Sequence, residues 1–251
     1  MTTDELIQAD AAFAGNRLLS TFSREARALI EPFATAVELE AGDCVLQRGV
    51  QVHASLFLVG PTIVTLTVEL VGGRSTEVAS IGREGAVGGI VSCGHAPAFS
   101  SAEVLVGGPA LRVPMEALED AKGRSRFISN LFCRYSDYLL STVMQSVACN
   151  TFHSISERAA RWLLQVQGRA GDRIELTQES LAALLGVQRT TLNAVIKALS
   201  SEELISTSRG TVRVIDRAGL KRRSCECYEQ LQDHYAAVIG VSGRGGEKTG
   251  S

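Results

Sequence analysis

Residues 176–199 read Leu176-Thr-Gln-Glu-Ser-Leu-Ala-Ala-Leu-Leu-Gly-Val-Gln-Arg-Thr-Thr-Leu-Asn-Ala-Val-Ile-Lys-Ala-Leu199. Leu181, Leu184 and Leu185 recur at helical spacing behind Thr177, which can cap a helix start, with Ser180 rather than Glu three positions on. Gly186 permits the sharp turn between two helices. A second helix is predicted from about Gln188, with Leu192, Val195, Ile196 and Leu199 inward. Arg189, Thr190, Asn193 and Lys197 then share its outward face. That face carries the chemistry of a major-groove reader. Arg can donate two bonds to guanine, Asn can pair with adenine, Thr offers a methyl or a hydroxyl, and Lys reaches phosphate. Thr177, Gln178, Gln188 and Thr191, at the two helix starts, complete the candidate set.

Working outward, Leu204-Ile-Ser-Thr-Ser-Arg-Gly-Thr-Val-Arg-Val-Ile215 reads as two short strands around a Ser-Arg-Gly turn, a wing with Arg209 at its tip. Charge follows the same division. Residues 151–223 hold 12 Lys/Arg against 7 Asp/Glu, a balance of +5, whereas residues 1–150 hold 11 against 16 and residues 224–251 hold 2 against 4. A basic module between acidic flanks is suited to a polyanion.

Upstream, apolar positions between residues 154 and 167 (Ile155, Ala159, Trp162, Leu163, Val166) predict an amphipathic helix ended by Gly168–Gly171. Residues 124–149 lack Gly and Pro and are apolar on two faces: Ile128, Leu131, Tyr135, Tyr138 and Thr142 on one, Phe132, Leu139, Val143 and Val147 on the other. Such a helix needs cover on both sides. One side can pack on the preceding domain and the other on a second copy. Residues 115–121 predict a short helix and residues 16–34 a longer one, with Ser23 as an internal cap. Between about 37 and 113, short β-rich runs alternate with Gly and Pro breakers, which predicts a small antiparallel barrel or roll. Residues 217–238 read as helix, and the Gly-rich end as tail.

The order of barrel, long helix and "LTQESLAALLGVQRTTLNAVIKAL" resembles the Crp–Fnr superfamily of bacterial regulators over roughly residues 15–216. Gly42, Gly49, Gly60 and Gly73-Arg74 look like the turn glycines of its cyclic-nucleotide-binding-like barrel. The resemblance implies an α+β chain: a jelly-roll-like β-barrel with flanking helices (1–123), a long dimerisation helix (124–150), a winged helix-turn-helix (151–216), and a C-terminal helix with tail (217–251). It implies a homodimer that binds double-stranded DNA at a near-palindromic site, with RNA polymerase as a further partner. Arg189 matches the family's guanine-reading arginine. Thr190 stands where many members carry Glu, and Ala194 where some carry a second Arg, so a different half-site is expected.

In members that bind cyclic nucleotides, a Gly-Glu pair holds the ribose and an Arg neutralises the phosphate. Here Gly89 falls at the Glu and Ser100 at the Arg, so cyclic AMP is not expected in the usual manner. Gly82, Gly85, Gly88, Gly89, Ser100 and Ser101 form the candidate effector pocket, whose effector is unknown. A ligand-binding module without a DNA role, answering a small molecule or a redox signal, is the second reading.

Neither a metal nor another cofactor is expected. The six cysteines are scattered, and an iron–sulfur sensor would need thiolates near the N-terminus. Cys93-Gly-His95 is a single soft pair. If residues 217–238 are one helix, Cys225 and Cys227 point about 200° apart and cannot grip one ion, while Cys227 and His234 share a packing face. The chain shows no Gly-x-Ser-x-Gly, no His-Glu-x-x-His and no phosphate loop, so no enzyme is expected; Glu247 precedes Lys248 where a phosphate loop needs Gly. The acidic start Met1–Asp10 and the lack of a long apolar run predict a cytoplasmic protein off the membrane.

Overall fold

The computed structural model describes residues 11–73, 75–90 and 96–240. Two four-stranded antiparallel sheets form an N-terminal roll. Its strands are β1 (Thr35–Leu39), β2 (Cys44–Leu46), β3 (Ala54–Leu58), β4 (Ile63–Glu69), β5 (Ser75–Ile81), β6 (Ala86–Val87), β7 (Ser101–Val106) and β8 (Gly108–Pro114). The orders are β1-β8-β3-β6 and β2-β7-β4-β5. Alternating side chains fill the space between the sheets, among them Leu58, Val64, Ile81, Val104 and Ala110.

The helix expected over 16–34 is broken. Leu19–Thr21 form a 3-10 turn, and Phe22 is extended at ψ 134°. Ser23 caps α1 (Arg24–Ile30) by accepting from the Ala26 N–H at 3.2 Å. Pro32 then sits in a second 3-10 turn, Glu31–Phe33. An extended residue ahead of a capping serine starts a new helix, and proline cannot continue one.

After β8 come α2 (Met115–Arg124) and the long α3 (Arg126–Phe152), with Ser125 capping α3 through the Ile128 N–H. Ile128, Leu131, Phe132, Tyr135 and Tyr138 bury against Phe57, Leu111 and Val113 of the roll and against the C-terminal helix. The C-terminal half of the other face stays bare: Leu140, Met144 and Val147 are 54%, 61% and 63% exposed, with Val143 beside them.

The second domain starts at α4 (Ile155–Ala170), where Ser154 and Glu157 form a reciprocal capping box. The helix runs through Gly168 as far as Ala170, beyond the end expected at 167, and Gly171 closes it. Then follow β9 (Arg173–Glu175), α5 (Gln178–Leu185), α6 (Arg189–Ser201), β10 (Ile205–Ser208), β11 (Thr211–Val214) and α7 (Arg217–Arg223). A three-stranded sheet, β10-β11-β9, carries the wing. Trp162, Leu163, Leu181, Leu192, Ile196, Leu199, Val212 and Leu220 make its core, and Ile63 of the roll joins them.

The expected helix 217–238 is two helices, α7 and α8 (Cys227–Ile239), separated by Ser224–Glu226. Asp216 caps α7 through the Gly219 N–H. Cys225 therefore lies ahead of α8 and not on it, which removes the geometric objection to its acting with Cys227. Cys227, Leu231, Tyr235 and Ile239 form the buried stripe of α8, whereas His234 is exposed.

Candidate nucleic-acid interface

The helix-turn-helix follows from local chemistry. Thr177 Oγ1 accepts from the Ser180 N–H at 3.0 Å and fixes the start of α5. Gly186 closes that helix in the left-handed region, φ 67° and ψ 34°, where a side chain would be strained. Gln188 is the N-cap of α6, with extended backbone and no side-chain cap bond. The first N–H groups of α6 are thus not taken by a capping side chain, an arrangement suited to phosphate.

Of the four residues expected on the outward face, Arg189, Thr190 and Lys197 are exposed on α6, and Thr191 and the N-cap Gln188 are exposed as well. No ion pair engages Arg189, Lys197 or Arg209 among the described residues. Asn193 lies one turn beyond Arg189 but is half-buried, and its Oδ1 has no hydrogen-bond partner. Thr177 and Arg209 are exposed and Gln178 is half-buried. Arg209 and Gly210 (φ 71°) turn the wing, so Arg209 stands at its tip.

The two domains touch along α4. Trp162 Nε1 donates to Glu77 Oε2 on β5 at 3.1 Å. Burial pushes the Glu77 carboxyl above its ordinary value, with the indole bond opposing. Arg169 donates to Ser80 Oγ at 2.8 Å and to the Ser80 carbonyl at 3.0 Å, and pairs with Glu84. Around the same β5–β6 loop, the Tyr235 hydroxyl donates to the Glu84 carbonyl at 2.8 Å and Asn16 Nδ2 to the Gly85 carbonyl at 2.8 Å. Burial, with Glu84 adding to it, pushes the Tyr138 hydroxyl up to about 12. Gly186 lies against Thr76, so the turn of the helix-turn-helix rests on β5.

The candidate effector residues divide. Gly88, Gly89 and Ser100 line a cavity of about 330 Å³ inside the roll with Leu46, Leu66, Ile81 and Leu139. Gly82, Gly85 and Ser101 are not in its wall. The Tyr135 hydroxyl fills the space that Gly85 leaves, and Arg169 the space beside Gly82. The loop amides are also occupied: Gly82 N–H bonds Glu84 Oε1 at 3.0 Å, and Ala86 N–H bonds the Tyr135 hydroxyl at 2.9 Å. These two amides of the β5–β6 segment are therefore taken up by the protein itself. Arg74, Cys93 and His95 lie outside the described residues.

Jelly roll, long helix and winged helix-turn-helix define a two-domain architecture. A family model, the Crp-like helix-turn-helix domain, matches residues 157–223, from α4 to the last residue of α7. The HTH-type transcriptional regulator Cmr of Mycobacterium tuberculosis (strain CDC 1551 / Oshkosh) is 38% identical over 52 residues, 21% of this chain and 21% of that protein. FixK2 from Bradyrhizobium japonicum has a TM-score of 0.65 at 16% identity, covering 76% of this chain and 98% of its own. A transcriptional regulator of the CRP family from Thermus thermophilus scores 0.63 at 17% identity, covering 75% and 96%. Residues 157–223 are therefore a Crp-like helix-turn-helix domain, and the likeness to the two solved structures is one of fold.

Proposed function

We propose that this protein is a cytoplasmic transcription regulator without catalytic activity, which binds double-stranded DNA in a sequence-specific manner as a homodimer on a near-palindromic site. The single observation that carries the reading is the exposed Arg189, Thr190, Thr191 and Lys197 face of α6 inside the domain that matches the Crp-like helix-turn-helix. Among the described residues no helix is long and apolar enough to cross a membrane.

The bare stripe Leu140, Val143, Met144 and Val147 supports dimerisation through α3, because i, i+3, i+4 and i+7 positions make one face for a copy of the same helix. Two recognition helices would then lie about 34 Å apart, one DNA turn. Residues 1–123 act as sensor or structural domain, 124–150 as dimer helix and 151–216, extended by α7, as reader. RNA polymerase is the further partner under this reading. The largely aliphatic wall around Gly88, Gly89 and Ser100, without an arginine, fits a small uncharged ligand better than cyclic AMP.

In-vitro selection of bound duplexes from a random pool, at stated salt and with the purified full chain, tests the proposal. A two-fold-symmetric motif is expected. Enrichment of no motif, with or without cell extract, would leave the module reading without a DNA role.

A further inference from the structure

Cys149 is on the last turns of α3, His153 caps that helix, Cys225 lies in the α7–α8 connection and Cys227 begins α8. Their donor atoms all lie within 4.8 Å of one another. We propose that these four residues form a mononuclear zinc site that fastens α8 to the end of α3.

The geometry supports one small ion. Cys149 Sγ and Cys225 Sγ are 3.6 Å apart. Two thiolates on a tetrahedral zinc, with Zn–S of about 2.3 Å, sit about 3.8 Å apart, whereas a disulfide needs about 2.05 Å. Cys227 Sγ and His153 Nδ1 are 3.4 Å apart, again the separation of two ligands on one centre. An iron–sulfur cluster would need its ligands spread around a core of several atoms. Three thiolates and one imidazole are a common structural zinc set.

Two outer groups complete the site. His153 Nε2 faces Glu226 Oε2 at 3.2 Å. With Nδ1 turned to the thiols and Nε2 to a carboxylate, the ring is oriented as metal-bound histidines are. Gln145 Nε2 donates to Cys227 Sγ at 3.0 Å, a bond that a thiolate ligand would accept. The three thiols are buried and form a packing cluster of their own. On binding, each thiol that carries a hydrogen releases it to water as its Zn–S bond forms, and His153 gives the Nδ1 lone pair; no oxidant is consumed.

The test uses the full chain. Protein purified without chelator should carry a single zinc per chain. After stripping under reducing, anaerobic conditions, Co2+ should bind with the visible bands of a tetrahedral ion and with thiolate charge-transfer absorption, and Zn2+ should displace it. Cys227→Ser and His153→Ala should weaken Co2+ binding by about 100-fold or more, and Glu226→Gln by about 10-fold. Cys227→His, which keeps a donor, should retain shifted bands. Cys44→Ser with Cys133→Ser, exposed thiols elsewhere, should change nothing. Absence of tetrahedral bands in the stripped wild-type chain would overturn the site, as would bands insensitive to Cys227→Ser. Iron with acid-labile sulfide, or a native Cys149–Cys225 disulfide, would overturn it equally.

Discussion

Trp162 and Glu77 are hydrogen-bonded across the domain boundary, indole Nε1 to carboxylate Oε2 at 3.1 Å. Trp162 is the sole tryptophan, so its fluorescence reports this contact directly. Because burial raises the Glu77 carboxyl, the folded protein holds a proton there that the unfolded chain has already lost. Stability from this site is therefore present at lower pH and is lost as pH rises through the raised value. The melting temperature and the Trp162 emission of the wild type should depend on pH above the ordinary carboxylate range. Glu77→Gln should flatten that dependence. An unchanged pH profile in the variant would show that Glu77 does not titrate in this contact.

Arg169 and Glu84 form a buried ion pair, with side chains 11% and 9% exposed. Removing one partner leaves an uncompensated charge, so Arg169→Ala should cost about 3–5 kcal/mol by denaturant unfolding. Arg169→Met with Glu84→Gln should recover much of the loss, because neither charge is then stranded. A single variant as stable as wild type would contradict the pair's burial.

Arg189→Ala should cost about 1–3 kcal/mol on the selected site and relax one base position. Lys197→Ala should weaken all sequences alike and reduce the salt slope by about one unit. Fluorescence anisotropy on the selected and single-mismatch duplexes separates the two. Full discrimination by the Arg189 variant would misplace α6 on the DNA.

Met144→Glu and Val147→Asp place charge on the bare α3 stripe. Sedimentation should show monomers that keep the wild-type circular dichroism. Affinity for a two-half-site duplex should fall by about 100-fold or more, since the second half-site is no longer tethered. Dimers that persist would move the interface elsewhere.

The winged domain was legible because its determinants are local. Leu181, Leu185, Leu192, Ile196 and Leu199 repeat at helical period, Gly186 supplies the left-handed residue, and Arg209-Gly210 makes the wing turn. β6, Ala86–Val87, escaped because two residues carry no alternation. The cysteine cluster escaped for a different reason. Its halves are 76 positions apart between Cys149 and Cys225, and reading 217–238 as one helix hid the break at Ser224–Glu226 that turns Cys225 toward Cys227. The available signal was the pairing of Cys149-x-x-x-His153 at one helical turn with Cys225-x-Cys227. Burial of Glu84 was likewise invisible, since its partner Arg169 is 85 residues away.

The return of α8 along α3 has a kinematic consequence. The chain enters the winged domain at Ser154 and leaves it at Ser224, and both points sit at the same end of α3, where Cys149 and Cys225 are 3.6 Å apart. A body attached at one point can tumble through a cone; one attached at two neighbouring points keeps a single easy rotation, about the line that joins them. Under the proposed function, a displacement of the winged domain after release from β5 would follow an arc, and the spacing of two such domains in a dimer would be a function of one angle.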